Sequence, residues 1–230
     1  MTLKTDDFKT IDLIYENNDF IAVCKPIEIS FHNENDTIGF FNLAKSHFEI
    51  PLWPVHRLDK LTSGIIILAK SKKAAAQFGL MFENKNIEKI YLAISDKKPK
   101  KKQGKITGDM KKSRNGSWML TQSKINPAQT RFQSFALIPK IRLFVVKPLT
   151  GKTHQIRVAL KSLGSPILGD SRYGGSASDR AYLHAFRINF TWNHETIELE
   201  NYPTQGKYFQ LPEIQSALLK LSSDANTSTQ

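Results

Sequence analysis

His56-Arg57-Leu58-Asp59-Lys60-Leu61-Thr62-Ser63-Gly64 runs straight into the apolar stretch Ile65-Ile66-Ile67-Leu68-Ala69. The apolar run is β-branched and too short for a helix, so it reads as a buried strand entered through the Thr62-Ser63-Gly64 turn. One carboxylate, Asp59, sits among three basic side chains, His56, Arg57 and Lys60. A nearby cation favours the ionised carboxylate, and an arginine can fix both of its oxygens, as nucleophilic or electrostatic catalysis by an aspartate requires. A solvated charge cluster at a strand start has the same composition. The nine residues alone leave both readings open.

Working outward, Ser71 is a candidate N-cap for a helix over Lys72 to Glu83, with Ala75, Phe78 and Phe82 on one face. Upstream, Ile11 to Glu16 and Phe20 to Lys25 read as a hairpin about Asn17-Asn18-Asp19, stopped by Pro26. A loop with His32 and Asn33 leads to a predicted core helix over Thr37 to Phe48, packing through Ile38, Phe41 and Leu43-Ala44. Downstream, Ile87 to Ser95 alternates as a strand, with Ile90, Leu92 and Ile94 on one face and Tyr91 on the other. Tyr91 therefore faces a cleft or merely covers the sheet. Thr130 to Leu137 and Arg142 to Lys147 read as further antiparallel strands, and Asn115-Gly116 as a turn. Thr153 can cap a helix reaching about Leu163, with Gly164 as its stop, and His154, Arg157 and Lys161 share one face of it. That face is either a functional stripe or a solvated one. Tyr182 to Phe190 reads as a strand, a short helix runs from Pro212 to about Leu221, and 222–230 is a polar tail expected to be disordered. Residues 1–10 are expected to be mobile, and 11–221 to form one continuous catalytic domain.

Thirty-three basic against 21 acidic residues give a formal charge of +12, and Lys97-Lys98-Pro99-Lys100-Lys101-Lys102 concentrates it locally. Such a balance points to a polyanion, with nucleic acid the expected partner. No basic stretch carries an amphipathic apolar face, and no window approaches the ~18 apolar residues of a membrane span, so no membrane association is expected. The N-terminus lacks the apolar core of a signal peptide, so the protein is expected to be cytoplasmic. A single cysteine, Cys24, excludes an internal disulfide or a multi-cysteine zinc site. His154, His184 and His194 lack metal-ligand spacing with a nearby carboxylate, so no metal is expected. Gly151-Lys152-Thr153 ends like a P-loop, but Val146 stands where its first glycine is needed; no nucleotide cofactor is expected. No Gly-x-Ser-x-Gly elbow occurs, which leaves serine-hydrolase chemistry without support.

His56 to Gly64, followed by apolar residues and Ala69-Lys70, resembles the active-site segment of the RluA-type pseudouridine synthases. Gly151-Lys152-Thr153-His154-Gln155-Ile156-Arg157-Val158 is similar to a second stretch of that family. Pro166-Ile167-Leu168-Gly169-Asp170 with Tyr173-Gly174 resembles the loop after it. Weaker echoes are Lys89-Ile90-Tyr91-Leu92-Ala93 and Leu183-His184-Ala185. The blocks come in family order and extend from about residue 11 to 192. Two departures bear on RNA backbone contacts: Lys152 replaces the more usual Arg, keeping charge but losing bidentate geometry, and Ala159 stands where a His is common.

The resemblance implies a single α+β catalytic domain, a largely antiparallel mixed sheet with flanking helices and a central RNA-binding cleft. The small RNA-binding domain that precedes the catalytic one in many relatives is expected to be absent. It implies isomerisation of a uridine in structured RNA, ribosomal or transfer, to pseudouridine by a monomer without cofactor or metal. Asp59 would be the nucleophile or electrostatic partner of the ribosyl cation, Arg157 would hold its carboxylate, and Tyr91 would lie against the uracil. Arg57 would fill the space left by the flipped base. His56, Lys60, Lys152, His154, Lys100 and Lys101 would contact RNA. Two other classes fit the same residues: a non-catalytic RNA-binding or assembly protein, and a nucleosidase releasing free uracil.

Overall fold

The computed structural model describes residues 11–227, with side chains through Leu221. In chain order the elements are β1 (Leu13–Glu16), β2 (Phe20–Lys25), α1 (Phe40–Phe48), β3 (Trp53–Pro54), β4 (Ser63–Ala69), α2 (Lys72–Glu83), β5 (Glu88–Ser95) and β6 (Gln103–Gly108). There follow β7 (Met110–Lys112), β8 (Trp118–Leu120), β9 (Ala128–Ile138), β10 (Ile141–Pro148), α3 (Gln155–Ser162), β11 (Leu183–Trp192), β12 (Glu195–Glu200) and α4 (Pro212–Thr227). The result is the α+β, largely antiparallel architecture that the sequence predicts, with helices flanking the strands. The chain packs as two compact units, crossing between them at Lys89/Ile90, His184/Ala185 and Asn201/Tyr202. The first and second of these crossings fall inside β5 and β11, where no change of composition can mark them.

In the first unit, β2 pairs antiparallel with β1 and β4, β3 also pairs with β4, and β11 pairs with β12. All seven residues of β4 are buried. Phe20, Ile65, Ile67, Phe78, Phe190 and Trp192 form one apolar core, in which Phe78 stacks on Trp192 with centroids 4.4 Å apart. Ser71 caps α2 as predicted, its Oγ accepting from Ala74 N–H at 3.0 Å. Helix α1 begins three residues later than predicted. Thr37 N–H is spent on a tight turn with Glu34 O, and Asn33 Oδ1 takes Gly39 N–H at 2.8 Å, so Ile38 stays exposed outside the helix. Strand β12 was not predicted, although Ile197 and Leu199 are buried in alternation with exposed Glu198. Its hairpin turn uses Asn193 and His194, both at positive φ.

In the second unit, β10 pairs antiparallel with both β5 and β9, and β9 with β6. The β7/β8 ribbon is a separate two-stranded sheet, turning at Asn115-Gly116 as predicted. The last four residues of β5 are all buried, so the expected two-faced alternation around Tyr91 stops at Leu92. Residues 1–10, expected to be mobile, and 228–230 lie outside the described residues. Helix α4 continues to Thr227, past the predicted end near Leu221 and through most of the segment expected to be a disordered tail.

Candidate active site

Asp59 owes its place to a turn that closes on itself. Thr62 N–H donates to Asp59 O at 3.0 Å, and the next residues enter β4 through Gly64 at φ 107°. A Cβ on Gly64 would lie 2.3 Å from the Ala185 carbonyl oxygen, so any other residue would push the strand entrance out of register. Leu58 is buried beneath the turn, while Asp59 is half-buried and Arg57 and Lys60 are exposed. Below it lies Lys25, fully buried. Its ammonium donates to Pro26 O at 2.7 Å, Ile29 O at 2.8 Å and, more weakly, Lys60 O at 3.4 Å. One buried cation thus ties the loop after β2 to the turn that follows Asp59. Sequence reading missed Lys25, because as the last residue of a strand it carries no local sign of burial.

His56 does not take the expected role of phosphate contact. Its Nε2 accepts the Ile67 N–H at 2.8 Å, and its ring packs on Phe82 with centroids 5.1 Å apart. Burial, helped by the positive charge of Lys89, holds its pKa down at about 3. A neutral imidazole that spends its lone pair on a backbone amide has no cation to offer RNA; it pins the segment before Asp59 to the middle of β4. Burial likewise lowers the pKa of Lys89, whose ammonium lies 5.4 Å from the Phe82 ring centre.

In the second unit, Tyr91 is half-buried on β5 opposite Val146 of β10. The segment leading into α3 is held by Gln155, which sequence reading did not single out. Its Oε1 accepts from Thr150 Oγ1 at 2.7 Å and Lys152 N–H at 3.0 Å, and its Nε2 donates to Gln129 O at 2.9 Å and Thr130 Oγ1 at 3.0 Å. All its polar capacity goes into fixing residues 150–152 against β9. The predicted Thr153 cap is replaced by His154, which holds φ 56° with no side-chain cap bond. Its Nδ1 instead lies 2.7 Å from Tyr173 Oη, which also accepts the Trp118 N–H at 2.9 Å.

Arg157 is 4% exposed, not on a solvated stripe. Its Nε and Nη2 grip Asp170 at 2.7 and 2.9 Å, a bidentate pair, and the guanidinium carbon lies 4.8 Å over the Tyr173 ring. Of the residues expected to share its face, Lys161 is exposed and His154 half-buried. Lys152 Nζ donates to Asn126 Oδ1 at 2.9 Å. Lys100 and Lys101 are exposed, and the backbone is tied down on either side of Lys101: Lys100 N–H donates to Leu163 O at 2.9 Å, and Lys102 O accepts from Ser134 N–H at 2.7 Å. The structure thus brings Asp59, Arg57 and Lys60 together in the first unit, and His154, Arg157, Asp170 and Tyr173 in the second. Among the described residues no group of three or more His, Cys, Asp or Glu side chains is placed to hold a metal ion, and no helix is long and apolar enough to cross a membrane.

Residues 19–162 match the model of the RNA pseudouridylate synthase family. An uncharacterized RNA pseudouridine synthase of Haemophilus influenzae is 48% identical over 207 residues, covering 89% of this chain and 92% of that protein. Ribosomal large subunit pseudouridine synthase C of Rickettsia bellii is 32% identical over 191 residues, or 76% of this chain; the matched part spans 62% of that longer protein. The structure of human RNA pseudouridylate synthase domain containing 4 superposes with a TM-score of 0.71 at 23% identity, over 89% of this chain and 93% of that one. The Haemophilus relative and the family model, together with the Asp59 turn, lead to one conclusion: the chain belongs to the RNA pseudouridylate synthase family, whose reaction is an isomerisation.

Proposed function

We propose that the protein converts a uridine of ribosomal RNA to pseudouridine, working in the cytoplasm. The observation that carries this reading is the closed Asp59 turn, a half-buried carboxylate held between exposed Arg57 and Lys60. The chemistry breaks the bond from ribose C1′ to uracil N1, turns the detached base, joins C1′ to C5, and moves the proton from C5, by way of solvent, to N1. Atoms balance without a co-reactant, so few side chains suffice. Asp59 is the nucleophile at C1′ or the charge that steadies the ribosyl cation. Tyr91 lies against the uracil and assists loss of the C5 proton. Arg157, immobilised by Asp170, supplies a fixed positive charge to the reacting centre. Arg57 substitutes for the flipped base, offsetting an unstacking cost of a few kcal/mol. Lys60, Lys152, Lys100 and Lys101 take phosphates. The choice of ribosomal RNA rests on the named activity of the Rickettsia relative.

The test is pseudouridine mapping of total RNA from cells with and without the gene, complemented by wild type or Asp59→Asn. One or more ribosomal sites should vanish on deletion, return with wild type and stay absent with Asp59→Asn. Loss at transfer RNA sites instead would move the target, full rescue by Asp59→Asn would remove Asp59 from the chemistry, and unchanged maps would sink the enzymatic reading.

A further inference from the structure

We infer that Tyr173 is a positioning residue of the isomerisation. Its hydroxyl joins the β7–β8 ribbon to the turn that grips Arg157, so that RNA seated on the ribbon steadies the guanidinium, a role that rests on the use of Arg157 proposed above. The ribbon is a two-stranded sheet of its own, and an isolated ribbon holds little shape in water. Its orientation is therefore set by what grips it. Two side chains of one turn reach across to it: Tyr173 Oη accepts the Trp118 N–H at 2.9 Å, and Arg172 Nη1 donates to the Asn115 carbonyl. The ribbon itself exposes Lys111, Lys112 and Arg114, with Met119 50% open to solvent, a cationic and partly apolar surface suited to RNA backbone and bases.

The same turn holds Arg157 from two sides. Asp170 takes Nε and Nη2, and the Tyr173 ring lies 4.8 Å from the guanidinium carbon. Asp170 O accepts both the Tyr173 N–H at 3.2 Å and the Gly175 N–H at 2.9 Å, so carboxylate and ring are carried on one hydrogen-bonded turn. A Cβ on Gly175 would come within 1.9 Å of Ile167 O, so the turn closes too tightly to admit a side chain there.

Only the hydroxyl distinguishes Tyr173 from a phenylalanine of the same shape. A backbone N–H can only donate, so Oη spends a lone pair on Trp118, and its own proton goes to His154 Nδ1, 2.7 Å away. The phenol, 1% exposed, is thereby held along two directions, by β8 and by the residue at the head of α3. His154 in turn keeps φ 56°, a left-handed backbone that is uncommon outside glycine and asparagine and that collects at functional sites. A shift of the ribbon reaches Arg157 through this phenol, and misplacing a group at the reacting centre by about 1 Å can cost on the order of a hundredfold in rate.

The experiment uses the full chain with ribosomal RNA from cells lacking the gene. Two variants are compared with wild type: Tyr173→Phe, which keeps the ring and removes both bonds, and a ribbon variant with Lys111, Lys112 and Arg114 all changed to Ser. Backbone hydrogen exchange, followed by peptide mass spectrometry, reads the coupling without relying on activity. RNA should slow exchange in wild type both along 110–120 and in the turn at 170–175; in Tyr173→Phe it should still slow the ribbon and leave the turn unchanged. Pseudouridine formation at saturating enzyme should fall roughly tenfold or more in Tyr173→Phe, with RNA affinity within about twofold of wild type. Combining the two variants should slow it no further than the slower of them, since both act through one contact. A merely structural hydroxyl would lower the melting temperature and leave the maximal rate and the turn's response to RNA as in wild type. That outcome, rate losses that multiply in the combined variant, or RNA that leaves the ribbon unprotected would overturn the proposal. Exchange coupled as described in a wild type that forms no pseudouridine would sink the enzymatic reading alone.

Discussion

His56 and Arg157 show how far a side chain's role depends on what folds against it. His56 is neutral when folded, with a pKa near 3 against an ordinary value of 6.5. Between those two pH values the unfolded chain binds one proton more than the folded one, so stability falls as pH drops through that window. The slope is about 1.4 kcal/mol per pH unit, or roughly 2 to 3 kcal/mol by pH 4.5. His56→Gln, which keeps an acceptor and cannot titrate there, should lose about that much less stability between pH 7 and 4.5 in urea unfolding; equal acid sensitivity would show that the ring is charged. Arg157→Met should destabilise by ~3 to 5 kcal/mol, since it strands the buried Asp170 carboxylate. Adding Asp170→Leu should recover much of that loss in thermal unfolding, and simple additivity would show the pair to be uncoupled. The turn at the entrance of β4 was legible but lies earlier than read: it closes from Asp59 to Thr62, and Ser63 and Gly64, expected within it, already belong to the strand because they pair into the sheet. The grip of Asp170 on Arg157 and of His56 on Ile67 was not, because partners 13 and 11 residues apart meet only through the folding of what lies between them.

Elements were legible where apolar periodicity is local and missed where backbone bonds intervene. The predicted strands Thr130 to Leu137 and Arg142 to Lys147 grew to Ala128–Ile138 and Ile141–Pro148, because ladder pairing carries on to the turn. Helix α3 lost its predicted Thr153 cap because Gln155 draws the preceding loop onto β9. The β9–β10 turn itself suggests a measurement. Its Pro139-Lys140 pair fits a type II turn, which wants glycine in the second place. Lys140→Gly should therefore raise stability by roughly 0.5 to 1 kcal/mol, the left-handed strain relieved less the entropy glycine adds to the unfolded chain. A loss of stability would mean that the Lys140 side chain makes up for its backbone.

For the whole molecule, +12 spread over 230 residues makes salt the most direct probe of its partner. RNA affinity should fall steeply with ionic strength, each phosphate contact adding roughly 0.7 to 0.9 to the log-log slope. Replacing Lys97, Lys100, Lys101 and Lys102 by Ser should lower that slope by about three; an unchanged slope would mark the run as solvated surface. The charge was legible from composition, whereas the division into two units was not. Among so many exposed ammonium groups, Lys25 is set apart, fully buried with its Nζ turned onto backbone carbonyls. Amine-reactive reagents should acylate the surface lysines at once and leave Lys25 until its surroundings open. Its labelling rate, read by peptide mass spectrometry, then becomes a clock for local opening beneath the Asp59 turn, and RNA that clamps that turn should slow it.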